Sequence, residues 1–206
     1  ATGGNVVPNP PRPSVGMVTY YAVNHIGETA CESTSRTAVC LQIDRAPTSA
    51  ISGGDQLECE QDPIQTLTAT ATPSPGSTIV WYDAPTGGNV VPNPTLSKVG
   101  NVTYYAVNKV GATGCESTSR TAVNLQIDPA PTSAISGGDQ LECEQDPIQT
   151  LTATATPSPG STIVWYDAAT GGNIVPNPTV SSVGMVTYYA VNKIGATGCE
   201  STSRTA

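Results

Sequence analysis

The stretch TLTATAT at residues 66–72 decides the fold class of this chain, because apolar and polar side chains alternate at every position. A period of two places Leu67, Ala69 and Ala71 on one face of an extended strand and the threonines on the other. The run PSPG at residues 73–76 ends that strand. The sequence therefore predicts a β-strand with one buried face, and such a face needs a second apolar layer to cover it.

The next predicted strand, residues 77–83, carries a tryptophan. Ile79 and Trp81 project from the same side, and the turn sequence at residues 84–88 follows. An exposed tryptophan could stack on a carbohydrate ring, whereas a tryptophan in phase with an isoleucine is more typical of the core between two sheets. We therefore predict that Trp81 and its equivalent Trp165 are core residues.

Two later strands complete the unit. Residues 102–108 hold paired tyrosines, of which Tyr104 and its equivalent Tyr188 are predicted to point inward, like the tyrosine corner of β-sandwiches. In residues 122–128 the apolar side chains face in while Asn and Gln face out. Several short strands at this spacing predict an all-β sandwich of two sheets.

The chain repeats itself every 84 residues, since TGGN at residues 2–5 recurs at 86–89 and at 170–173. A comparison of residues 45–122 with 129–206 gives seven differences in 78 positions, at 45, 85, 90, 96, 98, 101 and 110. This period predicts a window of a longer tandem array. Its predicted units are the C-terminal half of a repeat at 1–44, a complete repeat at 45–128, and a repeat lacking the end of its last strand at 129–206.

Composition excludes several kinds of partner. The 206 residues include 18 Pro, 20 Gly and no Phe, a mixture that favours short strands and tight turns. The net charge is −8 with eight basic residues, so no nucleic acid is expected among the partners. No apolar run approaches the roughly 20 residues of a transmembrane helix, so this window is not expected to span a membrane.

The sequence offers no catalytic constellation and no cofactor motif. His25 is the only histidine, and Lys109 and Lys193 replace it in the other repeats, so a triad would exist in one repeat alone. The Gly-Gly turns are not followed by the Lys and helix of a phosphate-binding loop. We therefore predict that the chain is not an enzyme and has no cofactor.

One acidic cluster is a weak candidate for metal binding, namely Asp55, Glu58, Glu60 and Asp62, which recurs at residues 139–146. Its carboxylates could hold calcium between domains. It lacks the Asp-x-Asp-x-Asp-Gly spacing of a dedicated calcium loop, so the default interpretation is a solvated acidic loop without metal.

Four motifs together resemble those of a known family, and they are Trp81-Tyr82-Asp83-Ala84-x-Thr86-Gly87-Gly88, Val102-Thr103-Tyr104-Tyr105, Gly114-Cys115-Glu116-Ser117 and Arg120-Thr121-Ala122-Val123. The combined string resembles the Ig-like repeats of very large surface proteins from gliding and polysaccharide-degrading Bacteroidetes. The resemblance implies an immunoglobulin-like fold, export by the type 9 secretion route and a place in cell-surface adhesins, including those of gliding motility. Similar repeats also serve as spacers in secreted multidomain enzymes. The family has no catalytic residues to carry over.

The six cysteines follow the repeat. Cys31, Cys115 and Cys199 share one repeat position, and Cys59 and Cys143 share another. Without CxxC pairs and with one histidine, a zinc site is not expected, and two cysteines per repeat in an exported protein indicate disulfides. A sixth cysteine, Cys40, has Asn124 at its matching position and is a candidate free thiol.

Two disulfide patterns stay open. Pairing within repeats joins Cys59 to Cys115 and Cys143 to Cys199, and the chain-entropy estimate for such a 56-residue loop is about 4 kcal/mol. Ig-like topology usually places those two positions at opposite ends of the domain, farther apart than the ~5.5 Å between α-carbons that a disulfide needs. Head-to-tail stacking instead pairs Cys59 with Cys199 of the next repeat and would stiffen the array.

Near-identical units with short linkers suit reach and multivalent contact. We expect a long extracellular adhesin filament on the cell surface, with gliding motility as the process it serves. The alternatives are a passive spacer in a secreted multidomain protein and a surface fibre that polymerises by itself. Expected partners are neighbouring repeats of the same chain, surface polysaccharide and other surface proteins.

Overall fold

The computed structural model describes residues 5–11, 14–27 and 31–206. In this part of the chain every regular element is a β-strand, which confirms the all-β prediction. Among the described residues, none belongs to a helix of the length and apolarity that crossing a membrane requires.

Eighteen strands occur among the described residues, and most are short. They are β1 (Gly16–Ala22), β2 (His25–Ile26), β3 (Cys31–Glu32), β4 (Thr37–Ile43), β5 (Ile51–Ser52), β6 (Gln56–Cys59), β7 (Leu67–Thr68), β8 (Ala71–Thr72), β9 (Ser77–Tyr82), β10 (Thr95–Leu96), β11 (Gly100–Val110), β12 (Thr121–Asp128), β13 (Ile135–Ser136), β14 (Leu151–Thr152), β15 (Ala155–Thr156), β16 (Ser161–Tyr166), β17 (Thr179–Val180) and β18 (Tyr189–Ile194).

The segment 45–128 forms a sandwich of two layers. Its first sheet has the strand order β6-β12-β11-β9, in which β11 pairs antiparallel with both β12 and β9. The opposite layer consists of two short antiparallel pairs, β5 with β8 and β7 with β10. The two-sheet architecture predicted from the sequence is therefore observed.

The core lies between these two layers. Val123, Leu125 and Ile127 of β12 are each at most 1 % exposed, and they alternate with less buried residues. They pack against residues of β7 and β10 and against Ala69. The buried cluster consists of Leu67, Ala69, Leu96, Val123, Leu125 and Ile127.

The aromatic residues predicted for the core lie at its margin. Trp81 and Tyr104 pack against the buried cluster and remain partly exposed. The Tyr104 hydroxyl donates a hydrogen bond of 2.8 Å to the backbone oxygen of Thr95. In the following repeat Tyr188 makes the equivalent bond to Thr179, at 2.7 Å, and Trp165 is likewise partly buried.

The alternating stretch 66–72 is not one continuous strand. It is divided into β7 and β8, because the chain changes partner within it: β7 pairs with β10, while β8 pairs with β5 on the other side. Between them the Ala69 amide donates to the oxygen of Pro94, and the oxygen of Thr70 accepts from the amide of Gly53. The side-chain alternation survives the exchange, with Leu67 and Ala69 buried.

The neighbouring segments reproduce parts of the same sandwich. In the first segment β1 pairs with β4 in the register Gly16 to Ile43, which is the register Gly100 to Ile127 of β11 and β12 shifted by one repeat. In the third segment β13 pairs with β15, β14 with β17 and β16 with β18. Each of these pairs has its counterpart one repeat earlier.

Candidate functional site: the junction between repeats

Parallel pairing of β6 with β12 brings two parts of the chain to the same end of the complete repeat. The last residue of β6, Cys59, lies opposite Asp128, the last residue of β12. The next amide, of Glu60, donates a 2.8 Å hydrogen bond to the oxygen of Asp128. Cys59 therefore lies beside the point where the chain leaves for the next repeat.

A disulfide joins Cys59 to Cys199 across this junction. The α-carbons are 5.4 Å apart, and the sequence separation is 140 residues. Cys199 is 1 % exposed and lies in the turn that follows β18, where its oxygen accepts a 2.9 Å bond from the amide of Ile194. Of the two patterns left open by the sequence, the structure contains the bond between repeats.

Pairing within the repeat is prevented by strand length. Cys115 precedes the eight-residue β12, whereas Cys59 lies beside the end of that strand. Eight extended residues span about 26 Å, several times the α-carbon distance of a disulfide. Cys115 and Cys143 accordingly carry free thiols.

The short linker is held by both repeats. On one side, the Glu60 carboxylate accepts a hydrogen bond from the amide of Ala130, at 3.1 Å. On the other side, the amide group of Asn192 donates to the oxygen of Thr132, at 2.7 Å. A cleft of ≈ 410 Å³ opens between them, lined by Glu60, Gln61, Asp62, Ile64, Ala130, Pro131, Thr132 and Thr202. The junction is thus fixed by one covalent bond and by hydrogen bonds from each neighbour.

The four acidic residues considered for calcium are not brought together as ligands among the described residues. Asp55 accepts a hydrogen bond from the amide of Asn124, at 2.8 Å, and Glu60 accepts one from the amide of Ala130. In the described part of the chain, no three His, Cys, Asp or Glu side chains converge as metal ligands would. The arrangement uses two carboxylates as separate acceptors for backbone amides, so it gives no support to a calcium site at Asp55, Glu58, Glu60 and Asp62.

A glutamine clamps the loop that follows Cys59. Gln65 donates a 2.6 Å hydrogen bond to the oxygen of Cys59 and accepts one of 3.1 Å from the amide of Gln61. The loop contains the cis peptide bond Asp62-Pro63. The clamp holds the backbone at the disulfide in one position, which keeps Cys59 directed at the next repeat.

Buried asparagines anchor the linker from the following repeat. Asn108 is 0 % exposed, and its amide nitrogen donates to the oxygen of Thr48 at 2.7 Å and to the hydroxyl of Ser74 at 3.1 Å. Asn192 repeats the first of these contacts with Thr132. An uncharged side chain that donates two hydrogen bonds is needed here, because the acceptors are a carbonyl and a hydroxyl.

We expect Asn108→Asp to destabilise the complete repeat more than Asn108→Ala does. The alanine variant loses the donor to Thr48, which costs about 1–3 kcal/mol. The aspartate variant adds a buried carboxylate facing that carbonyl oxygen, so two acceptors oppose each other. Urea denaturation of both variants measures the difference. Alanine at the half-buried Asn124, which is Cys40 in the first repeat, is the control. Equal losses of unfolding free energy in the two Asn108 variants and in this control would contradict the anchoring role.

A second cluster, termed here the Tyr82 cluster, comprises Tyr82, Lys109, Glu116 and Arg120. The guanidinium carbon of Arg120 lies 3.6 Å from the centre of the Tyr82 ring, and the Tyr82 hydroxyl donates to Glu116 at 3.0 Å. Lys109 forms an ion pair with Glu116 at 3.3 Å. The pKa of Tyr82 is raised above its ordinary 10.0. The larger cause is loss of solvent around the hydroxyl, and the second is its hydrogen bond to Glu116. These groups satisfy one another, which is typical of a structural cluster.

The same arginine closes the turn after β9. Arg120 donates to the backbone oxygens of Ala84 and Gly87, the latter at 2.7 Å. Gly88 has φ +73°, and a β-carbon there would collide with Asp83 and Ala84, so only glycine fits. The Asp83 carboxylate in turn accepts a 2.7 Å bond from the amide of Asn89. The motif that carries the family resemblance is therefore a turn closed by a distant arginine.

Acid is expected to weaken this turn. The hydrogen bond from the Asn89 amide, and then the one from its side chain, lower the pKa of Asp83 below 3.8. A carboxyl whose folded pKa is lowered stabilises the fold above its unfolded pKa, and this contribution is lost as the pH falls through the folded pKa. A carbon-13 NMR titration should place the midpoint of Asp83 below 3.8, and Asn89→Ala should raise it. An unchanged midpoint in that variant would contradict the side-chain contribution.

The remaining predicted cysteine positions lie apart from the junction. Cys40 is an exposed free thiol on β4, opposite Thr19 of β1. Cys31 is exposed on β3, opposite Ile26. Neither takes part in the Cys59–Cys199 bond.

Sequence reasoning missed Gln65 and Asn108, and it named Arg120 only as part of a motif that carries the family resemblance, without its role in the turn. Each recurs in the next repeat, but since the repeats differ at seven of 78 positions, recurrence singles out no residue. The one usable signal was Asn108, a polar residue that directly follows the apolar pair Ala106 and Val107 within its strand. Its partner, Thr48, is 60 residues away in sequence and could not be named from the pattern.

Comparisons with known proteins agree with this architecture. The family model described as "Ig-like domain CHU_C associated" matches residues 45–129 and 130–206. No curated protein sequence matches the chain.

Two similar solved structures are N-terminal four-Ig-domain fragments of Dscam1. Isoform 4.4 is 15 % identical, with 90 % of this chain and 53 % of that one covered and a TM-score of 0.27. Isoform 9.44, crystallised with zinc, is 18 % identical, with 88 % and 52 % covered and a TM-score of 0.25. The chain spans about half the length of both. At these TM-scores the similarity supports no conclusion about function.

Proposed function

Because this chain belongs to the family of Ig-like domains described as CHU_C associated, we propose that its repeats form the shaft of a long cell-surface adhesin filament that serves attachment and gliding motility. Ig-like domain families are generally non-enzymatic, and disulfide-bonded Ig-like domains are typical of extracellular proteins. Both points favour a structural role outside the cell. The type 9 secretion route belongs to this proposal, by resemblance to the surface proteins of Bacteroidetes.

The observation that carries the proposal is the Cys59–Cys199 bond between consecutive repeats. A shaft that transmits traction has to bear tension without opening, and a disulfide across the junction makes a covalent path that bypasses the folded strands it encloses. A hydrogen bond from the linker to Glu60 and one from Asn192 to the linker hold it from both sides. Such a junction limits hinge motion, which favours reach over flexibility.

The acidic surface suits the same role. The net charge of −8 distributes like charges along the array, and like charges repel one another and keep a long polymer soluble. Adhesion then arises from many weak contacts along the shaft, with surface polysaccharide or other surface proteins as partners.

A passive spacer in a secreted multidomain protein is the second candidate. It is favoured by the Tyr82 cluster, in which the partly buried charged groups contact one another rather than point toward a ligand. A junction closed by the Cys59–Cys199 disulfide would hold a terminal domain at a distance equally well.

Electron microscopy of cells and shed material, with an antibody against one repeat as the label, tests the proposal. Long thin threads decorated at regular intervals and extending from the cell surface are expected. Removing whole 84-residue units keeps every junction intact and should reduce attachment and gliding. Label confined to short secreted particles beside a catalytic domain, with attachment unaffected by shortening, would replace the adhesin by the spacer.

A further inference from the structure

The Cys59–Cys199 junction is made of two halves, and each half occurs a second time in this chain. The exit half is the segment 59–65, with the disulfide cysteine and its glutamine clamp. The hairpin half is the segment 194–199, the turn after β18. Their second copies are residues 143–149, identical in sequence to 59–65, and residues 110–115, which differ from 194–199 at one position, Val110 for Ile194.

The loop of the second exit half has the same hydrogen bonds as the loop of the bonded copy. Gln149 donates to the oxygen of Cys143 at 2.6 Å and accepts from the amide of Gln145 at 3.1 Å, the same two distances as in the bonded copy. The peptide bond Asp146-Pro147 is cis, as is Asp62-Pro63. Cys143 is an exposed free thiol at the position of Cys59. The conformation therefore does not depend on a bonded partner.

The second hairpin half is equally complete. The Val110 amide donates to the oxygen of Cys115 at 2.9 Å, and the Gly114 amide donates to Val110 at 2.8 Å. The bonded copy has the same two hydrogen bonds at the same distances, between Ile194, Cys199 and Gly198. Cys115 is partly exposed, whereas Cys199 is 1 % exposed beneath its partner repeat. The surface around Cys115 is therefore uncovered, whereas the equivalent surface around Cys199 is covered by the junction.

We propose that Cys115 and Cys143 are unbonded halves of the same kind of junction, and that each forms a disulfide with the opposite half in another copy of this repeat. We call this disulfide between an exit half and a hairpin half the staple. The occupant follows from the established interface, because the surface that covers Cys199 is identical in sequence to the one around Cys143. Each repeat then carries one bond to the repeat before it and one to the repeat after it. The inference rests on the proposed role of the repeats as head-to-tail units of a shaft.

Closing the staple is an oxidation that a small disulfide such as oxidised glutathione can drive. The thiolate of Cys143 attacks one glutathione sulfur, which forms a mixed disulfide and releases one glutathione thiolate. The thiolate of Cys115 then attacks the Cys143 sulfur of that mixed disulfide and releases the second. Two protein thiols are oxidised, and the two glutathione thiolates take up the two protons.

Complementary cysteine variants of the whole chain test the proposal. In a Cys31→Ser, Cys40→Ser background, Cys143→Ser leaves only the open hairpin half and Cys115→Ser only the open exit half. Each variant, incubated alone in a glutathione redox buffer, should stay a monomer on a non-reducing gel. An equimolar mixture should give one covalent dimer, with a peptide joining Cys115 to Cys143 by mass spectrometry. One partner labelled with nitrogen-15 establishes that the bond is between chains.

The other outcomes overturn the proposal. Dimers of a single variant would show symmetric bonds between identical cysteines, which the head-to-tail geometry does not allow. A mixture that remains monomeric, while peptide mapping still finds the Cys59–Cys199 bond, would refute the open staple and leave the proposed function standing. Loss of the Cys59–Cys199 bond in the parent chain would remove the basis of both.

Discussion

When the chain is pulled by its two ends, the segment between Cys59 and Cys199 is expected not to extend until the disulfide is reduced. Force follows the shortest covalent path, which is the sulfur–sulfur bond, so unfolding of the enclosed strands adds no length. A sequence separation of 140 residues, at 3.3–3.6 Å per extended residue, should release roughly 460–500 Å of contour length on reduction. Single-molecule force spectroscopy with and without reductant measures this difference.

Two variants sharpen that experiment. The double variant Cys59→Ser, Cys199→Ser should show the long extension without reductant, and Cys40→Ser should behave like the parent chain. A bond from Cys143 to Cys199 instead would enclose a 56-residue separation and hide roughly 185–200 Å. That shorter length, or an extension insensitive to reductant in the parent, would contradict the staple between repeats.

Replacing Leu125 by alanine should have the largest effect on the stability of the complete repeat. Leu125 is 0 % exposed and lies in the centre of β12, between the two layers. Its truncation removes buried apolar surface and leaves a cavity, at a cost of about 2–5 kcal/mol. Since small domains are stable by about 5–15 kcal/mol, this is a large fraction of the total. Amide hydrogen exchange measured by mass spectrometry resolves the effect on peptides of β11 and β12.

Val90→Ala is the matched control, because Val90 is also an aliphatic residue but is 56 % exposed. Its truncation should change the free energy of unfolding by no more than about 0.5 kcal/mol. If Leu125→Ala and Val90→Ala lowered protection of β12 equally, the two-layer core described above would be incorrect.

Local pattern was sufficient for the strands whose partners are neighbours in sequence. The alternation in residues 122–128 predicted β12 and its buried face, because a strand that covers a core must present every second side chain to it. The stretch 66–72 shows the limit of this reasoning. Its alternation is regular, yet the strand is divided because β7 and β8 pair with different partners. Side-chain pattern specifies which face is buried and does not specify which backbone lies alongside.

The candidate site was predictable in its cysteines and not in its supporting contacts. The repeat positions of Cys59 and Cys199 narrowed the disulfide to two patterns. The clamp by Gln65 and the anchor by Asn108 depend on backbone oxygens, which every residue has, so no residue type marked their partners.

By itself the sequence determined that this protein is a tandem all-β array of 84-residue units, because periodicity and strand alternation are properties of neighbouring residues. Tertiary structure alone decided how consecutive units are joined. The parallel pairing of β6 with β12 places Cys59 beside Asp128, at the end where the chain leaves the repeat, and so within reach of Cys199 rather than Cys115. Pairing between strands distant in sequence depends on the packing of the whole domain, and one such pairing determined which cysteines could meet.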